Sequence, residues 1–240
     1  MDDYVDPTSS PGEGPGYDAG IAADPFGNIY GSGYDNLASG VDIWFTRRST
    51  DGGVSWSTVD SFSGGQKYSP YPTAIATDAG GNVYVVGVTN YTWLVRKGTV
   101  DGSGGISWAN VDNFTSSDGP CYANGVFCHP SLGVFVVGQR DVVLTKRGGK
   151  GYVWTVRRSQ NGGATWTTVD TFQLDSSLES EAQGVGGDSS GNIYVVGGAR
   201  QTYHGASTFH WIVRKSSDGG QSWQTVDNFQ PSQSVHNSTA

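Results

Sequence analysis

One block of sequence occurs four times in this chain, and this repetition constrains the fold more than any other feature. The block has the sequence WFTRRSTDGGVSWSTVDSF at 44–62, and its copies occupy 93–114, 154–172 and 211–229. A second block, GNIYGSG at 27–33 in the first copy, precedes each of them. All 8 tryptophans of the chain belong to the repeats. Because one unit uses up every copy of a rare residue, the sequence predicts four copies of one structural element.

Each copy predicts four antiparallel strands joined by tight glycine-containing turns, because Val, Thr, Tyr and Trp dominate its apolar runs. These runs are short and uninterrupted, which is typical of a sheet covered on both faces. Four-stranded units of this length stack radially as the blades of an all-β propeller. A β-sandwich is the competing architecture, but it does not require the same tryptophan pair four times. The predicted blades, within a single domain 1–240, occupy 17–62, 70–114, 120–172 and 181–229.

The opening segment, 1–16, is predicted to be the trailing strand of a preceding or closing blade. Its Tyr4-Val5-Asp6 resembles Thr58-Val59-Asp60 at the end of a repeat. Four blades then form a small closed ring, a part of a larger propeller, or a half-ring that pairs with a second copy. An open arc exposes apolar sheet faces, which promotes association. We therefore expect either missing blades that complete the ring or a homo-oligomer.

The turn between the predicted third and fourth strands carries a family resemblance. Ser49 to Trp56 and Ser216 to Trp223 fit S-x-D-x-G-x-[ST]-W and resemble the Asp-box of sialidase-like (BNR-repeat) propellers. The third copy has asparagine at the aspartate position, and the second has an insertion. The resemblance implies a structural turn, and a scaffold alone does not transmit an activity. The structural residues that it implies are Asp51, Trp56, Asp101, Trp108, Asn161, Trp166, Asp218 and Trp223.

Charged residues that recur in every copy are predicted to be structural, because a catalytic site needs one asymmetric set and packing needs many identical ones. We expect the repeated arginines to form cross-strand or inter-blade ion pairs with the repeated aspartates. The arginines are Arg47, Arg96, Arg157 and Arg214, and the aspartates are Asp60, Asp112, Asp170 and Asp227. Asp24, Asp78 and Asp188 are predicted turn residues, and His129 takes their place in the third copy.

The candidates for binding are the residues that break the repeat. In a propeller, the fourth-to-first and second-to-third connections share one face. Tyrosines with Asn, Asp and Arg on such loops suit contact with a sugar or a protein surface. Each residue alone resembles an ordinary exposed loop, and only the shared face distinguishes the set. The ligand-binding candidates are Tyr34, Asn36, Tyr68, Tyr71, Tyr91, Tyr122, Arg140, Asp141, Arg200, Tyr203 and His204; Lys150, Tyr152, Glu179 and Glu181 lie in the same loops.

Charge and composition limit the classes of partner that the chain is expected to bind. The net charge of −8 disfavours nucleic acid and anionic membranes. No run approaches the roughly 20 apolar residues of a membrane span, and the acidic opening MDDYVDPTSS lacks the pattern of a signal peptide. Cys121 and Cys128 form either a disulfide or two free buried thiols. No cofactor or metal is predicted, because these cysteines and His129 have no recognised ligand spacing.

Three functions remain open. We favour a non-catalytic, extracellular or cell-surface module that binds a glycan or a protein. The resemblance implies, as an alternative, a sialidase-like glycoside hydrolase with an arginine triad and a Tyr–Glu pair. The family's Phe-Arg-Ile-Pro motif is absent, and the arginines outside the repeats are Arg140, Arg147 and Arg200. The third function is a structural module that assembles through contacts between blades.

Overall fold

The computed structural model describes residues 17–36, 42–64, 70–144, 149–203 and 206–230, without the side chains of 17, 18, 36 and 203. Within these segments, all regular structure is β-strand, and the strands form four four-stranded antiparallel sheets. No helix in the described part of the chain is long and apolar enough to cross a membrane.

Each sheet is a meander of four consecutive strands. The first sheet contains β1 (Tyr17–Ala23), β2 (Ile29–Asn36), β3 (Asp42–Ser49) and β4 (Ser57–Phe62). The second contains β5 (Tyr71–Thr77), β6 (Val83–Thr89), β7 (Thr92–Val100) and β8 (Ile106–Phe114). The third contains β9 (Cys121–His129), β10 (Gly133–Val143), β11 (Lys150–Ser159) and β12 (Thr167–Phe172). The fourth contains β13 (Ser180–Gly187), β14 (Ile193–Tyr203), β15 (Ala206–Ser216) and β16 (Gln224–Phe229).

The four sheets stack through their first strands. Strand β1 lies against β5, β5 against β9, and β9 against β13. Sheets that meet along the inner strand and fan outward are the blades of a propeller, and the predicted all-β propeller is confirmed. Among the described residues, no strand of the first sheet makes a comparable contact with the fourth sheet. These four blades therefore form an open arc.

The hydrophobic core lies between successive blades. At the junction of the third and fourth blades, Trp154 and Val156 pack with Ile193 and Ile212. The Trp154 indole is fully buried and meets the ring of Phe172 edge to face, with centroids 5.9 Å apart. Burial of an aromatic pair of this size is a large stabilising contribution. The equivalent pairs at the other junctions are Trp93 with Phe114 and Trp44 with Phe62.

At two of the junctions, a glycine in the second strand of the next blade makes room for the buried tryptophan. A methyl group on Gly197 would lie 2.8 Å from the Trp154 ring and would also collide with the carbonyl oxygen of Glu181. We expect Gly197→Ala to lower the free energy of unfolding by about 1–3 kcal/mol through overpacking. Gly186→Ala is the control, because a methyl group there meets nothing within 4 Å. Urea unfolding measures both, and equal effects would contradict the expected packing role.

Ion pairs join each blade to the one before it. Arg157 of the third blade donates from Nε and Nη2 to Asp112 of the second blade, at 2.7 and 2.9 Å. Its guanidinium also lies 4.2 Å from the centre of the Phe114 ring. We call this arrangement of arginine, aspartate and phenylalanine the inter-blade lock. It recurs as Arg96 with Asp60 and Phe62, and as Arg214 with Asp170 and Phe172.

The locks confirm the predicted pairing for Arg96, Arg157 and Arg214 with Asp60, Asp112 and Asp170, and they select the inter-blade alternative. The cation that follows the repeated arginine makes a further link to the next blade in two of the blades. Arg48 donates to the carbonyl oxygen of Gly104 in the next blade, at 2.8 Å. Lys97 donates in the same way to Gly162, also at 2.8 Å. Successive blades are thus joined by charge as well as by apolar packing.

The turn between the third and fourth strands is closed by its own side chains. Asp51 accepts the backbone N–H and the hydroxyl of Ser55, at 2.9 and 2.6 Å. These hydrogen bonds hold the pKa of Asp51 at about 2. Ser49 accepts the N–H of Gly53, whose φ of 92° favours glycine, and the Trp56 indole donates to the Gly53 carbonyl at 3.2 Å.

Asparagine in place of aspartate keeps the backbone and tryptophan hydrogen bonds of this turn, whereas the insertion in the second blade changes them. Asn161 accepts the N–H of Thr165 at 2.9 Å, and the Trp166 indole donates to Gly163 at 3.2 Å. Asp218 and Trp223 repeat the pattern in the fourth blade. In the second blade, Asp101 instead accepts from Ser103 and Gly105. The Trp108 indole N–H has no partner among the described residues.

The turn between the first and second strands contains a second aspartate motif. Asp78 accepts the backbone N–H of Gly80 and Asn82 through Oδ1, both at 2.9 Å, and the Asn82 amide through Oδ2. The Tyr84 hydroxyl donates to the same Oδ2 at 3.3 Å. Asp24 and Asp188 close the first and fourth blades similarly, and His129 accepts backbone N–H groups in the third. The predicted turn roles are therefore confirmed.

The two cysteines are free thiols. Cys121 and Cys128 lie near opposite ends of β9, so their Cα atoms are separated by about 23 Å of extended strand. A disulfide needs Cα atoms within about 7 Å. Burial raises the pKa of Cys121 to about 11 and raises that of Cys128 further. Both side chains therefore act as small apolar groups rather than as nucleophiles.

Candidate functional site

The fourth-to-first and second-to-third connections meet at one end of the blades, which we call the loop face. The Asn90 side chain, in the turn after β6, donates to the Gly64 carbonyl at 3.0 Å. The Cys121 N–H donates to the Tyr91 carbonyl at 2.8 Å, and the Arg200 N–H to that of Glu179 at 3.0 Å. The first two bonds join connections of successive blades, and the third ties the residue before β13 to β14 within the fourth blade. The connections around the second blade therefore meet at the loop face, as the repeat pattern predicts.

Four of the predicted tyrosines lie together on the loop face, across the first three blades. The rings of Tyr34 and Tyr71 are 6.1 Å apart and tilted by 48°. Burial raises the pKa of Tyr122, and the neighbouring Tyr71, Asp141 and Tyr91 raise it further. Tyr91 adopts a positive φ of 62° in its turn, and its side chain is 45% exposed. We call Tyr34, Tyr71, Tyr91 and Tyr122 the tyrosine row.

A cleft opens on the loop face between the third and fourth blades. It consists of two adjoining recesses of about 70 and 440 Å³, which share Tyr152, Glu179 and Arg200 in their linings. The smaller recess also contacts Glu181 and Phe209, and the larger is lined by Leu144, Lys150, Ser177, Leu178 and Ser207. We call this feature the blade 3–4 cleft.

The electrostatics of the cleft centre on Tyr152. Burial raises the pKa of its phenol, Glu181 and Glu179 raise it further, and Arg200 opposes them. The phenol therefore stays protonated at neutral pH and can donate a hydrogen bond. The two carboxylates are acceptors, whereas Arg200 is a donor. The exposed ring of Phe209 adds an apolar surface beside these polar groups.

Asp175 orders the loop that supplies one wall of the cleft. Its carboxylate accepts the N–H and the hydroxyl of Ser177, at 2.9 and 2.6 Å, and also the N–H of Thr202 at 3.3 Å. These bonds lower the pKa of Asp175 well below its usual range. The Gln173 side chain donates to the Leu178 carbonyl at 3.0 Å. The loop that carries Glu179 is thus fixed to β14 without a ligand.

The predicted binding residues divide between these two areas. Arg200 lines the cleft, while Asp141 adjoins the tyrosine row. Arg140 pairs with Cys121 in the sheet and is not among the residues that line the cleft. Tyr68 and His204 lie outside the described residues. Asn36 and Tyr203 lie at the ends of β2 and β14, but their side chains are outside the described part of the structure.

The residues that surround Arg200 are not among the ligand-binding candidates predicted from the sequence, although three of them lie in the same loops. Tyr152, Glu179 and Glu181 all lie in segments that break the repeat, but nothing in their spacing indicates that they converge. The rarity of glutamate could have drawn attention to Glu179 and Glu181, because the chain contains only one other glutamate, Glu13. Phe209 had no comparable signal. Within the described segments, no group of three or more His, Cys, Asp or Glu residues could hold a metal ion.

No protein-family model matches the chain, and no curated protein matches its sequence. Solved structures do resemble it. A protein of unknown function from Dyadobacter fermentans has a TM-score of 0.56 and 15% identity, over 90% of this chain and 70% of that one. An α-L-arabinofuranosidase of Fusarium graminearum, solved with an iminosugar inhibitor, has a TM-score of 0.50 and 11% identity, over 89% and 68%.

The fold is also shared with a sialidase. The Trypanosoma rangeli enzyme, with 2,3-difluorosialic acid bound, has a TM-score of 0.50 and 13% identity, over 88% of this chain and 37% of that one. At such identities the likeness shows the fold alone. The chain therefore has a sialidase-like propeller fold.

Proposed function

We propose that this protein is an extracellular or cell-surface carbohydrate-binding propeller that holds a glycan in the blade 3–4 cleft without cleaving it. The observation that carries this proposal is the convergence of Tyr152, Glu179, Glu181 and Arg200 around one recess. The structural similarity to an arabinofuranosidase and a sialidase, both of which act on glycosides, supports the same class of ligand.

The chemistry of the cleft suits a sugar. A sugar ring presents hydroxyl groups that both donate and accept, and the cleft offers phenol and guanidinium donors beside carboxylate acceptors. It also presents an apolar C–H face, for which Phe209 supplies a partly exposed ring. The larger recess, about 440 Å³, falls within the usual size range of small-ligand sites.

Binding to a glycan array, followed by calorimetry with the best ligand, tests this proposal. We expect Arg200→Met to weaken binding by about 10- to 100-fold, because a hydrogen bond from a charged group contributes about 1.5–3 kcal/mol. Tyr152→Phe should weaken binding less, because it removes only a neutral hydrogen bond.

Arg140→Met is the matched control, because Arg140 lies on the loop face but outside the cleft. Its affinity should equal that of the wild type. If no glycan binds, the proposed function is wrong. If Arg140→Met abolishes binding and Arg200→Met does not, the site lies elsewhere on the loop face.

Glycoside hydrolysis is the second candidate, and one observation favours it. Tyr152 lies beside Glu179 and Glu181, and the resemblance to sialidases implies a tyrosine nucleophile activated by glutamate. The raised pKa of Tyr152 works against a free phenolate, and Arg140 and Arg200 do not converge. Fluorogenic sialosides and arabinosides distinguish the two functions. Release of product that is lost in Tyr152→Phe would establish the hydrolase, whereas glycan binding without product supports the binding module.

A further inference from the structure

The face of the fourth blade that points away from the third blade carries a line of exposed aromatic side chains. Gly197 lies against Trp154 of the third blade, so the next residue along the strand, Gly198, faces away from it. Gly198 pairs with Trp211 of β15, and Trp211 pairs with Phe229 of β16. Directly paired residues project their side chains from the same face of a sheet. Trp211 is 45% exposed and Phe229 is 57% exposed.

Phe209 joins this line to the blade 3–4 cleft. It precedes Trp211 by two residues in β15 and therefore projects from the same face. A methyl group on Gly198 would lie 2.5 Å from the Phe209 ring, so the ring lies directly over Gly198. Phe209 and Gly198 both line the smaller recess, together with Glu181, which pairs with Gly198. We call Phe209, Trp211 and Phe229 the aromatic strip, which begins in the cleft and ends on the outer strand of the blade.

The repeat explains the equivalent aromatic residues of the third blade, but not the exposure of those in the fourth. Trp154 and Phe172 occupy the positions of Trp211 and Phe229, and they pack against the fourth blade. In the fourth blade the same two side chains are about half exposed, as is Phe209. Exposed apolar surface that adjoins polar groups is typical of binding grooves. The aromatic strip is therefore available to a ligand that also occupies the cleft.

We propose that the aromatic strip is an extended subsite of the blade 3–4 cleft, and that the ligand is a linear oligosaccharide. This inference rests on the proposed function, because the first sugar unit lies in the cleft. Adjacent strands are about 4.8 Å apart, so the row from Glu181 on β13 to Phe229 on β16 spans about 14 Å. A row of this length accommodates a chain of about three sugar units. A single sugar in the recess leaves Trp211 and Phe229 uncovered.

The chemistry along the strip suits a sugar chain. Each sugar unit presents C–H groups on the faces of its ring and hydroxyl groups around its rim, so a chain needs apolar contacts flanked by a few polar groups. The three rings supply the apolar contacts. Arg200 pairs with Phe209 and offers donors at one end, whereas Asp227, two residues before Phe229, offers acceptors at the other. Both charged side chains are exposed.

Calorimetry with sugar chains of two lengths tests the inference, and the probes are the disaccharides and hexasaccharides of the cello-, manno- and arabino-series. In the series that binds, we expect the wild type to bind the hexasaccharide at least about 10-fold more tightly than the disaccharide. Trp211→Leu should remove this gain and leave the affinity for the disaccharide unchanged, because leucine is apolar but has no ring. Trp211→Phe keeps a ring and should keep most of the gain.

Phe26→Leu is the control, because Phe26 is 71% exposed in a turn of the first blade. It should bind both lengths like the wild type. Equal wild-type affinities for the two lengths would overturn this inference and leave the proposed function intact, and so would a gain that survives in Trp211→Leu. A wild-type dimer in sedimentation equilibrium that Trp211→Leu dissociates would also overturn it, because a second copy would then cover the strip. Absence of binding at both lengths and on the glycan array would overturn the proposed function as well.

Discussion

Replacing Asp112 with alanine is expected to lower the free energy of unfolding by about 3–5 kcal/mol. Asp112 and Arg157 are both only 8% exposed. The carboxylate accepts two hydrogen bonds from the guanidinium, which also lies on the Phe114 ring. Removal of Asp112 leaves a buried cation without its counter-ion, and that desolvated charge causes the loss. Urea unfolding at neutral pH measures it.

The matched control is Asp227→Ala, which removes the same residue from the same repeat position in the fourth blade. Asp227 is exposed, so in protein dilute enough to be monomeric the change should stay within about 0.5 kcal/mol. The double variant Asp112→Leu, Arg157→Met should lose less than the sum of its two single variants, because no charge is left unpaired. Equal losses for Asp112→Ala and Asp227→Ala would contradict the role of the lock.

Truncation of a junction tryptophan should have a comparable effect. We expect Trp154→Ala to lower the free energy of unfolding by about 3–5 kcal/mol. The indole is fully buried, packs edge to face on Phe172 and fills the space above Gly197. Because blades on both sides hold this space open, it cannot collapse around alanine, and a cavity remains.

Trp211→Ala is its counterpart on the fourth blade. The side chain is 45% exposed, so in the monomer its loss should cost no more than about 1 kcal/mol. The two variants are compared by urea unfolding in dilute protein. A loss for Trp211→Ala as large as that for Trp154→Ala would mean that the monomer already covers this face.

The ion pair and the turns could be predicted because the same residues recur at the same positions in the four copies. An arginine at the position of Arg157 and an aspartate at the position of Asp112 occur in every copy, and this indicated an ion pair. The glycine-rich turns indicated where the strands reverse. Whether the arginine would reach the aspartate of its own sheet or of the preceding one was left open. Only the packing of one sheet on the next answers that, because the angle between blades decides which carboxylate lies over the guanidinium.

The sequence could predict which face of the propeller carries the candidate site, but not which side chains contact one another there. The loops that break the repeat do meet on one surface, and Tyr34, Tyr71, Tyr91 and Tyr122 lie together there. Glu179, Arg200 and Tyr152 come from two blades, and the distances among them depend on the Asp175 hydrogen bonds that hold the 173–179 loop. Sequence spacing carries no information about such contacts.

The sequence by itself determined the unit: four strands, their turns, a tryptophan at the start of the third strand, and the arginine and aspartate from which locks are made. These follow from local propensity and from residues that repeat at fixed spacing, and each copy reports them independently. The tertiary structure decided how the units are joined. It directs Arg96, Arg157 and Arg214 to the preceding blade, separates the two cysteines along one strand and brings Tyr152 to Arg200. It also leaves Trp211 uncovered. The repeat places the same junction residues in every blade. Whether those residues are buried depends on whether another blade packs against them.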